Sequence, residues 1–242
     1  NDKLLKSNRE LEQFAYITSH DLHEPLRKIQ TYAELSERHW QDEVTAKKYL
    51  SRIANTSARM TVLINDVLNY SRLTRSNEKP VLTDLNDILE IVRKDFDKMI
   101  LQKNAIVKSS HLPRVKGIPL QLQQLFSNLI GNSLKFSGEH VEIEIASRKV
   151  APDEIGSVGD LDPDRDYVEL LFRDNGIGFD QQFADQIFTI FQKLNAQNLY
   201  TGSAIGLALC KRIVENHKGA ILASSKLNNG ATFKVYLPVD RT

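Results

Sequence analysis

A histidine followed directly by an aspartate is the first pair of residues able to do chemistry. His20 and Asp21 lie in the segment FAYITSHDLHEP at residues 14–25. A neutral imidazole has a pKa near 6.5, so at neutral pH it can act as a nitrogen nucleophile toward phosphorus. Asp21 can keep one ring nitrogen protonated and leave the other free to attack. At helical spacing His20 lies about 180° from Leu11, so we expect it to face solvent, although an ordinary surface histidine fits the same pattern.

Two asparagines and a lysine form a second candidate group. Asn128, Asn132 and Lys135 are spaced four and three residues apart, which places two carboxamides and an ammonium on one helical face. A carboxamide oxygen is a neutral hard ligand suited to Mg²⁺, and Lys135 can neutralise phosphate charge. A pair of structural amides that cap neighbouring loops is the alternative.

A carboxylate followed by glycines forms the third candidate. Asp174, Gly176 and Gly178 lie in DNGIGFD, just after a run that predicts a strand ending near Phe172. The carboxylate is placed to accept a hydrogen bond from an exocyclic amine such as adenine N6, and the glycines permit a close backbone approach. The bare pattern also fits a turn or a calcium-type loop.

A glycine-containing loop runs into an apolar helix near the end of the chain. Gly202 and Gly206 lie in TGSAIGLALCKR at residues 201–212, with Leu207 at the predicted start of the helix. Such a junction directs backbone N–H groups and a helix dipole at phosphate. Two glycines at this spacing are weak support for a phosphate site when taken alone.

The elements that would hold His20 are two long helices. About the first 75 residues contain one proline, Pro25, and no glycine, and their apolar residues repeat at helical spacing. Residues 38–43 are predicted to form the turn of an antiparallel hairpin. A hairpin cannot cover two apolar seams, so we predict a four-helix bundle made by a homodimer. The seam residues are Leu4, Leu11, Phe14, Ala15, Leu22, Leu26, Ile29 and Ala33, then Leu50, Ile53, Ser57, Met60, Ile64, Val67 and Ser71.

The remaining candidates belong to a part of the chain that mixes helices and strands. Residues 75–80 concentrate structure breakers and predict a linker, so we expect domains at 1–76 and 77–242. Helices are predicted from Asp84 and Pro119, and alternating residues predict strands that build a mixed sheet with helices on one side. Residues 148–166 read as a loop without obvious chemistry.

Composition excludes several classes of protein. The chain has 242 residues with 32 Lys+Arg against 31 Asp+Glu, so no net field favours a nucleic-acid partner. Its single cysteine, Cys210, excludes an internal disulfide framework and a multi-cysteine metal site. The sequence contains no apolar run of about 18 residues and opens directly in a helical pattern. We therefore expect a cytoplasmic fragment, whether or not the longer protein is attached to a membrane.

Taken in order, these motifs resemble the catalytic core of two-component sensor histidine kinases. Residues 20–25 resemble the phospho-acceptor H box, and residues 128–135 resemble the N box. Residues 174–178, 188–191 and 202–206 are similar to the G1, F and G2 boxes. The resemblance covers nearly the whole chain and rests on five motifs in the family's order.

The resemblance implies a dimerisation and histidine-phosphotransfer hairpin followed by an α/β two-layer sandwich of the histidine kinase and gyrase ATPase type, which binds ATP and Mg²⁺. It assigns the adenine amine to Asp174, Mg²⁺ to Asn132 and Asn128, and phosphate to Lys135. His20, with Asp21 beside it, would attack the γ-phosphoryl group and pass it to an aspartate of a response regulator receiver domain. A sensor domain would precede this chain. The other ATP-site residues implied are Gly176, Gly178, Phe191, Gly202, Gly206 and Leu207.

The chain departs from the family pattern at Ala204, where the G2 box usually has a second glycine. An added Cβ there would crowd a phosphate, so a non-catalytic dimeric scaffold with a weakened nucleotide site is the alternative function. An ATPase or a Ser/Thr kinase on the related fold is a third possibility.

Overall fold

The computed structural model describes residues 22–73, 78–138, 140–156, 158–159, 161–189 and 205–239. The chain divides into a helical unit that ends at Ser71 and a larger unit that comprises most of the chain from Arg72 onwards. Within the described ranges, no helix combines the length and the apolar character that crossing a membrane requires.

The helical unit is a hairpin, as the sequence predicts. Helix α1 includes residues 22–38, helix α2 is Glu43–Leu73, and residues 39–42 form the turn. Asp42 caps α2, because its carboxyl group accepts hydrogen bonds from the Thr45 N–H at 3.2 Å and the Thr45 hydroxyl at 2.6 Å. The rings of Tyr32 and Tyr49 stack with centroids 6.2 Å apart, which joins the two helices near the turn.

One chain covers only part of the predicted seam. Ile53 and Met60 of α2 are half-buried, whereas Leu50 is 51% exposed and Ile64 is 40% exposed. The hairpin therefore buries one stripe of α2 and leaves a neighbouring apolar stripe in solvent.

The larger unit is built on a mixed five-stranded sheet in the order β2-β4-β5-β7-β6. Strands β2 and β4 are parallel, and every other neighbouring pair is antiparallel. Strands β1 and β3 form a separate antiparallel pair. The strands are β1 Val81–Asp84, β2 Ile106–Ser109, β3 Arg114–Gly117, β4 Glu142–Lys149, β5 Asp166–Asp174, β6 Ala220–Ser225 and β7 Ala231–Val239.

Three helices form a layer on one face of the sheet, which confirms the predicted two-layer sandwich. The central helix α5 packs between α3 and α7 and against β5. Phe126 of α5 meets Phe172 of β5 edge to face, with centroids 5.0 Å apart. The helices are α3 Leu85–Asp95, α4 Asp97–Gln102, α5 Pro119–Lys135, α6 Pro152–Ile155 and α7 Gly206–Asn216, with short 3-10 helices at Gln181–Phe183 and Gln186–Phe188.

The segment between β4 and β5 is more ordered than a plain loop. It contains α6 and covers part of the opposite face of the sheet with a small apolar cluster that includes Ile155, Leu161, Tyr167 and Tyr236. Because Asp, Gly and Pro are abundant in this segment, its few apolar residues do not stand out in the sequence, which therefore predicts a loop. Those residues are buried because two tyrosines of the sheet point outward beside them.

Candidate nucleotide site

Asp174 ends strand β5, and backbone donors fix its side chain. Its Oδ1 accepts hydrogen bonds from the N–H of Gly176 at 2.9 Å and of Ala231 at 3.1 Å, while Oδ2 accepts one from the Ser133 hydroxyl at 3.1 Å. Each carboxylate oxygen offers about two acceptor positions. Oδ1 is therefore filled by the protein, and Oδ2 keeps a position for an external donor such as an amine.

Ser133 is a site residue that the sequence analysis did not identify. It is buried on α5 beside Asp174, and its hydroxyl also lies 3.2 Å from the Leu129 carbonyl oxygen. A hydroxyl has one proton and donates to one of these acceptors at a time. The sequence does show a hydroxyl residue directly after Asn132, but the Asp174 carboxyl group that it contacts lies 41 positions further along the chain.

The glycines after Asp174 make room for protein backbone. An ideal Cβ on Gly176 would lie 2.7 Å from the Phe136 carbonyl oxygen. Gly178 has a φ of +61°, and a Cβ there would lie 2.3 Å from the Lys226 carbonyl oxygen. Both glycines thus allow the loop to pack closely, which holds the carboxyl group of Asp174 in position.

Gly230 closes the same loop from the other side and was also missed. Its φ is +76°, and an ideal Cβ would lie only 1.8 Å from the Asp174 carbonyl oxygen. Its N–H donates to the Gly176 carbonyl oxygen at 2.9 Å. The turn between β6 and β7 therefore holds the loop after β5 by direct backbone contact.

Asn128 connects α5 to the start of α7. Its Nδ2 donates to the Gly206 carbonyl oxygen at 3.2 Å, and its Oδ1 accepts from Gln124 Nε2 at 3.1 Å. The neighbouring thiol of Cys210 is fully buried, and burial raises its pKa to about 12 despite a hydrogen bond with Asn128. Cys210 is therefore an inert packing residue at neutral pH.

Asn132 and Lys135 follow Asn128 along the same face of α5. Asn132 is half-buried, and within the described ranges its carboxamide makes no hydrogen bond. Lys135 places its ammonium 4.5 Å from the centre of the Phe136 ring. The face thus presents one engaged amide, one available amide and one cation.

The first turn of α7 fits an anionic group. Gly206 and Leu207 are half-buried, and the N–H groups of a first turn have no partner within their helix. Among the described residues, an ideal Cβ on Gly206 would meet only Asn128 atoms, at 3.8 Å, so packing against them does not require glycine. The backbone donors of this turn are suited to a phosphate.

Magnesium is the metal that the sequence analysis assigns to this site. Within the described ranges no group of three or more His, Cys, Asp or Glu residues could hold a metal ion. Mg²⁺ needs few protein ligands when substrate phosphates and water supply the rest, so the carboxamide of Asn132 fits it. Four predicted site residues, His20, Asp21, Phe191 and Gly202, lie outside the described ranges.

Two family models match the chain. Residues 117–241 match the histidine kinase-, DNA gyrase B- and HSP90-like ATPases, and residues 10–76 match the His Kinase A phospho-acceptor domain. The matches follow the order that the motifs predict.

Curated relatives are similar over nearly the whole chain. Cyanobacterial phytochrome A of Nostoc sp. is 37% identical over 98% of this chain and 29% of its own length. The phytochrome-like protein Cph1 of Synechocystis sp. is 33% identical over 98% of this chain and 30% of its own length. The sensor protein kinase WalK of Staphylococcus aureus is 26% identical over 96% of this chain and 54% of its own length. The chain spans about three tenths of the two cyanobacterial proteins.

Solved structures share the fold. Histidine kinase ThkA, solved in complex with the response regulator protein TrrA, has a TM-score of 0.69 at 21% identity and covers 98% of this chain and 66% of its own. Acinetobacter baumannii histidine kinase AdeS has a TM-score of 0.63 at 21% identity and covers 92% of this chain and 98% of its own. With a phospho-acceptor domain followed by an ATPase domain of the histidine kinase, gyrase B and HSP90 type, the chain belongs to the sensor histidine kinases as a catalytic core.

Proposed function

We propose that this chain phosphorylates His20 with ATP and transfers the phosphoryl group to an aspartate of a response regulator receiver domain. The observation that carries the proposal is the Asp174 carboxyl group, whose Oδ1 is filled by two backbone N–H groups while Oδ2 keeps an acceptor position. A carboxylate with one available oxygen is suited to an exocyclic amine and repels a carbonyl oxygen at the same place. We therefore assign the adenine end of ATP to Asp174.

The phosphate end of ATP is assigned to the half-buried polar face of α5. Asn132 and Lys135 share that face, and Asn128 ties it to the first turn of α7. Lys135 and the first-turn N–H groups of α7 supply positive charge for phosphate oxygens. Gly202 and Phe191 complete the assigned site by resemblance to the family.

Asn132 is the residue best suited to hold Mg²⁺, because its carboxamide makes no hydrogen bond within the described ranges. Asn128 contributes a remaining acceptor position on Oδ1, which already accepts from Gln124. A Mg²⁺ ion held by these residues would neutralise phosphate charge.

His20 supplies the nucleophile. One neutral ring nitrogen forms a bond to the γ-phosphorus, the bond from that phosphorus to the β,γ-bridging oxygen breaks, and ADP leaves with the electron pair. Asp21 keeps the other ring nitrogen protonated and stabilises the positive charge that develops on the ring. The reaction is mostly positioning and charge neutralisation, so the two units must meet during turnover.

A homodimer is the assembly that the helical unit supports best. Leu50 and Ile64 lie two heptads apart on α2 and are exposed, as is Leu26 on α1. A second hairpin would cover this stripe in a four-helix bundle, since the burial of apolar side chains away from water lowers the free energy.

Phosphotransfer to a receiver domain is proposed by analogy with the kinase solved with its response regulator. Because the reaction consumes ATP, we place this core in the cytoplasm, with an input domain elsewhere in the whole protein.

Incubation with γ-labelled ATP and Mg²⁺ tests the proposal. We expect label on the chain that is stable in alkali and labile in acid, and that is lost in His20→Gln. His23→Gln is the matched control, because this exposed histidine lies three positions further along and should leave labelling unchanged. Adding a cognate receiver domain should remove the label, and a receiver without its acceptor aspartate should not.

Other outcomes would identify the alternatives. Nucleotide binding without any label would favour the non-catalytic scaffold. Acid-stable label would indicate phosphorylation of a hydroxyl group, and multiple-turnover phosphate release without label would indicate an ATPase.

A further inference from the structure

A buried histidine outside the motifs described above joins two helices of the larger unit. His217 directly follows α7; its Nε2 lies 2.9 Å from the backbone nitrogen of Ile118, and its Nδ1 lies 2.7 Å from the Ile213 carbonyl oxygen. A backbone N–H can only donate and a carbonyl oxygen can only accept. Nε2 is therefore bare and Nδ1 carries the proton, which defines the neutral Nδ1–H form of the imidazole.

This imidazole fixes the start of α5. Ile118 is the N-cap residue of α5 and Pro119 is the first helical residue, but no side chain within the helix caps it. The Ile118 N–H instead donates to His217, 99 positions away. The position of the first turn of α5 therefore depends on an acceptor at the end of α7.

The same two helices are joined a second time within the candidate nucleotide site, at the middle of α5 and the start of α7. Asn128 on α5 donates to Gly206 at the start of α7, and His217 at the end of α7 accepts from Ile118 at the start of α5. The helices are thus antiparallel, and each segment between the two contacts is about 15 Å long at 1.5 Å per residue. Moving one end of this pair moves the other, because α5 and α7 are rigid over that length.

We propose that His217 is a positioning residue for nucleotide binding and acts only as the neutral imidazole. A proton on Nε2 would place an N–H group against the Ile118 N–H and remove the acceptor that fixes α5. The start of α7 would then shift relative to Asn132 and Lys135, and nucleotide affinity would fall. This inference rests on the assignment of the nucleotide to that site.

The neighbouring backbone leaves the His217 ring little room to move away from the Ile118 N–H. An ideal Cβ on Gly117 would lie 3.0 Å from both Cδ2 and Nε2 of His217, so the backbone of β3 lies close to the ring edge. Burial lowers the pKa of His217 below its usual range, and the hydrogen bond to Ile213 only partly opposes this effect. Protonation therefore requires the ring to lose its packing or its partner.

No charged group among the described neighbours stabilises the imidazolium. Between Pro119 and Leu134, α5 has no titratable residue. On β3, Arg114 and Lys116 are exposed and alternate with the inward Val115 and Gly117. The charged groups on the other neighbouring elements are paired or exposed. On α7, Lys211 is exposed and Arg212 pairs with Glu215, and Lys218, just after α7, is exposed. Asp84 on β1 pairs with Arg114, and Lys234 on β7 pairs with Glu169.

The sign of the pH effect follows from these contacts. Above about pH 7 the imidazole is neutral in free and bound protein, and affinity is at its full value. As the pH falls below about 6.5 through the lowered pKa of His217, the free protein takes up a proton that the bound form excludes. One proton changes the affinity by at most about tenfold per pH unit.

The test is calorimetric titration of the whole chain with Mg·ADP between pH 8 and pH 5.5. His217→Gln places a non-titrating amide oxygen near the position of Nε2, and His111→Gln is the control at an exposed histidine of the same unit. Between pH 7.5 and 5.5, wild type and His111→Gln should lose more affinity than His217→Gln, by at most about tenfold per pH unit below the pKa of His217 in the free protein. Parallel profiles for all three proteins would overturn the proposal.

A second measurement uses wild type alone and remains decisive if His217→Gln does not fold. Imidazole ¹⁵N shifts should show the Nδ1–H form, and adding Mg·ADP should lower the pKa of His217, because linkage is reciprocal. A purely structural histidine would keep the same pKa with and without nucleotide, and that result would overturn the proposal. If wild type binds no nucleotide even at pH 8, the proposed function fails and this inference fails with it; binding without pH linkage refutes the inference alone.

Discussion

Asn128 donates a hydrogen bond to the carbonyl oxygen of Gly206 across 3.2 Å and so ties α5 to the first turn of α7. The carboxamide of Asn132, one turn further along α5, makes no hydrogen bond within the described ranges. The sequence presents these two amides as equivalent ligands. The structure separates them into one that holds two helices together and one that is available to a metal or a phosphate.

Substituting each amide should therefore give different results. Asn132→Ala should abolish most Mg²⁺-dependent nucleotide affinity and leave the melting temperature of the apoprotein nearly unchanged. Asn128→Ala removes a side chain with two partners, so we expect it to lower the stability of the larger unit by about 1–3 kcal/mol as well as affinity. Calorimetric binding with and without Mg²⁺, together with scanning calorimetry of the apoprotein, measures both effects. Equal loss of stability in the two variants would contradict this division of roles.

Asp174→Asn should weaken nucleotide binding selectively for adenine. The substitution removes the charge that an exocyclic amine would meet at Oδ2, at a cost of about 1.5–3 kcal/mol, which is roughly 10- to 150-fold in affinity. Binding of ADP, with GDP for comparison, measures the change. Asp164→Asn, at an exposed aspartate of the same unit, is the control. Unchanged affinity for ADP would exclude Asp174 from the adenine site.

The sequence predicted the parts of the site that are local in the chain. The Asp174 loop and the polar face of α5 are each set by a few consecutive residues, whose types and spacing are visible without a structure. Ser133 and Ala231, which complete the contacts of the Asp174 carboxyl group, lie 41 and 57 positions away from it. Those contacts exist only once α5 and β7 flank β5, so no local pattern could identify them.

The helical unit shows a similar division between local and assembled structure. Helical periodicity predicted both helices and their turn, because the repeat of apolar residues is local. It did not predict which half of the seam one chain covers. Ile53 lies toward the covered side and Leu50 toward solvent, and this depends on how α1 and α2 rotate about their axes when they pack.

The exposed stripe of α2 leads to a prediction about assembly. Ile64→Lys should convert the proposed dimer to monomer, since a charge would replace an apolar side chain at the centre of the second hairpin's contact. Val62→Lys is the matched control: Val62 is 50% exposed and lies about 200° around the helix from Ile64, outside the stripe. Sedimentation equilibrium distinguishes the two. A monomeric wild type, or equal dissociation of both variants, would contradict the assignment of this stripe to a dimer contact.

The outer face of the sheet contains a buried carboxylate whose partners predict a pH-dependent contribution to stability. Glu169 is 3% exposed; it accepts two hydrogen bonds from Arg148 and one from the Tyr236 hydroxyl at 2.8 Å. Burial alone would raise the pKa of Glu169, but the hydrogen bonds from Arg148 and Tyr236 outweigh it and lower the pKa. The folded protein thus holds this proton less tightly than the unfolded chain, so the charged form stabilises the fold above about pH 4.5, and this stabilisation is lost as the pH falls through the folded pKa.

Tyr236→Phe should reveal that contribution. At pH 7 the loss of a hydrogen bond to a charged group should cost about 1.5–3 kcal/mol. As the pH falls through the folded pKa of Glu169, the cost should shrink toward the value of about 1 kcal/mol typical of neutral partners. The matched control is Tyr167→Phe, because the buried Tyr167 hydroxyl accepts from the neutral backbone N–H of Asp162 at 3.1 Å and should give a loss independent of pH. Native-state hydrogen exchange of the β5 and β7 amides measures both variants across this range. A pH-independent cost for Tyr236→Phe would show that the Glu169 carboxylate does not stabilise the sheet through this hydroxyl.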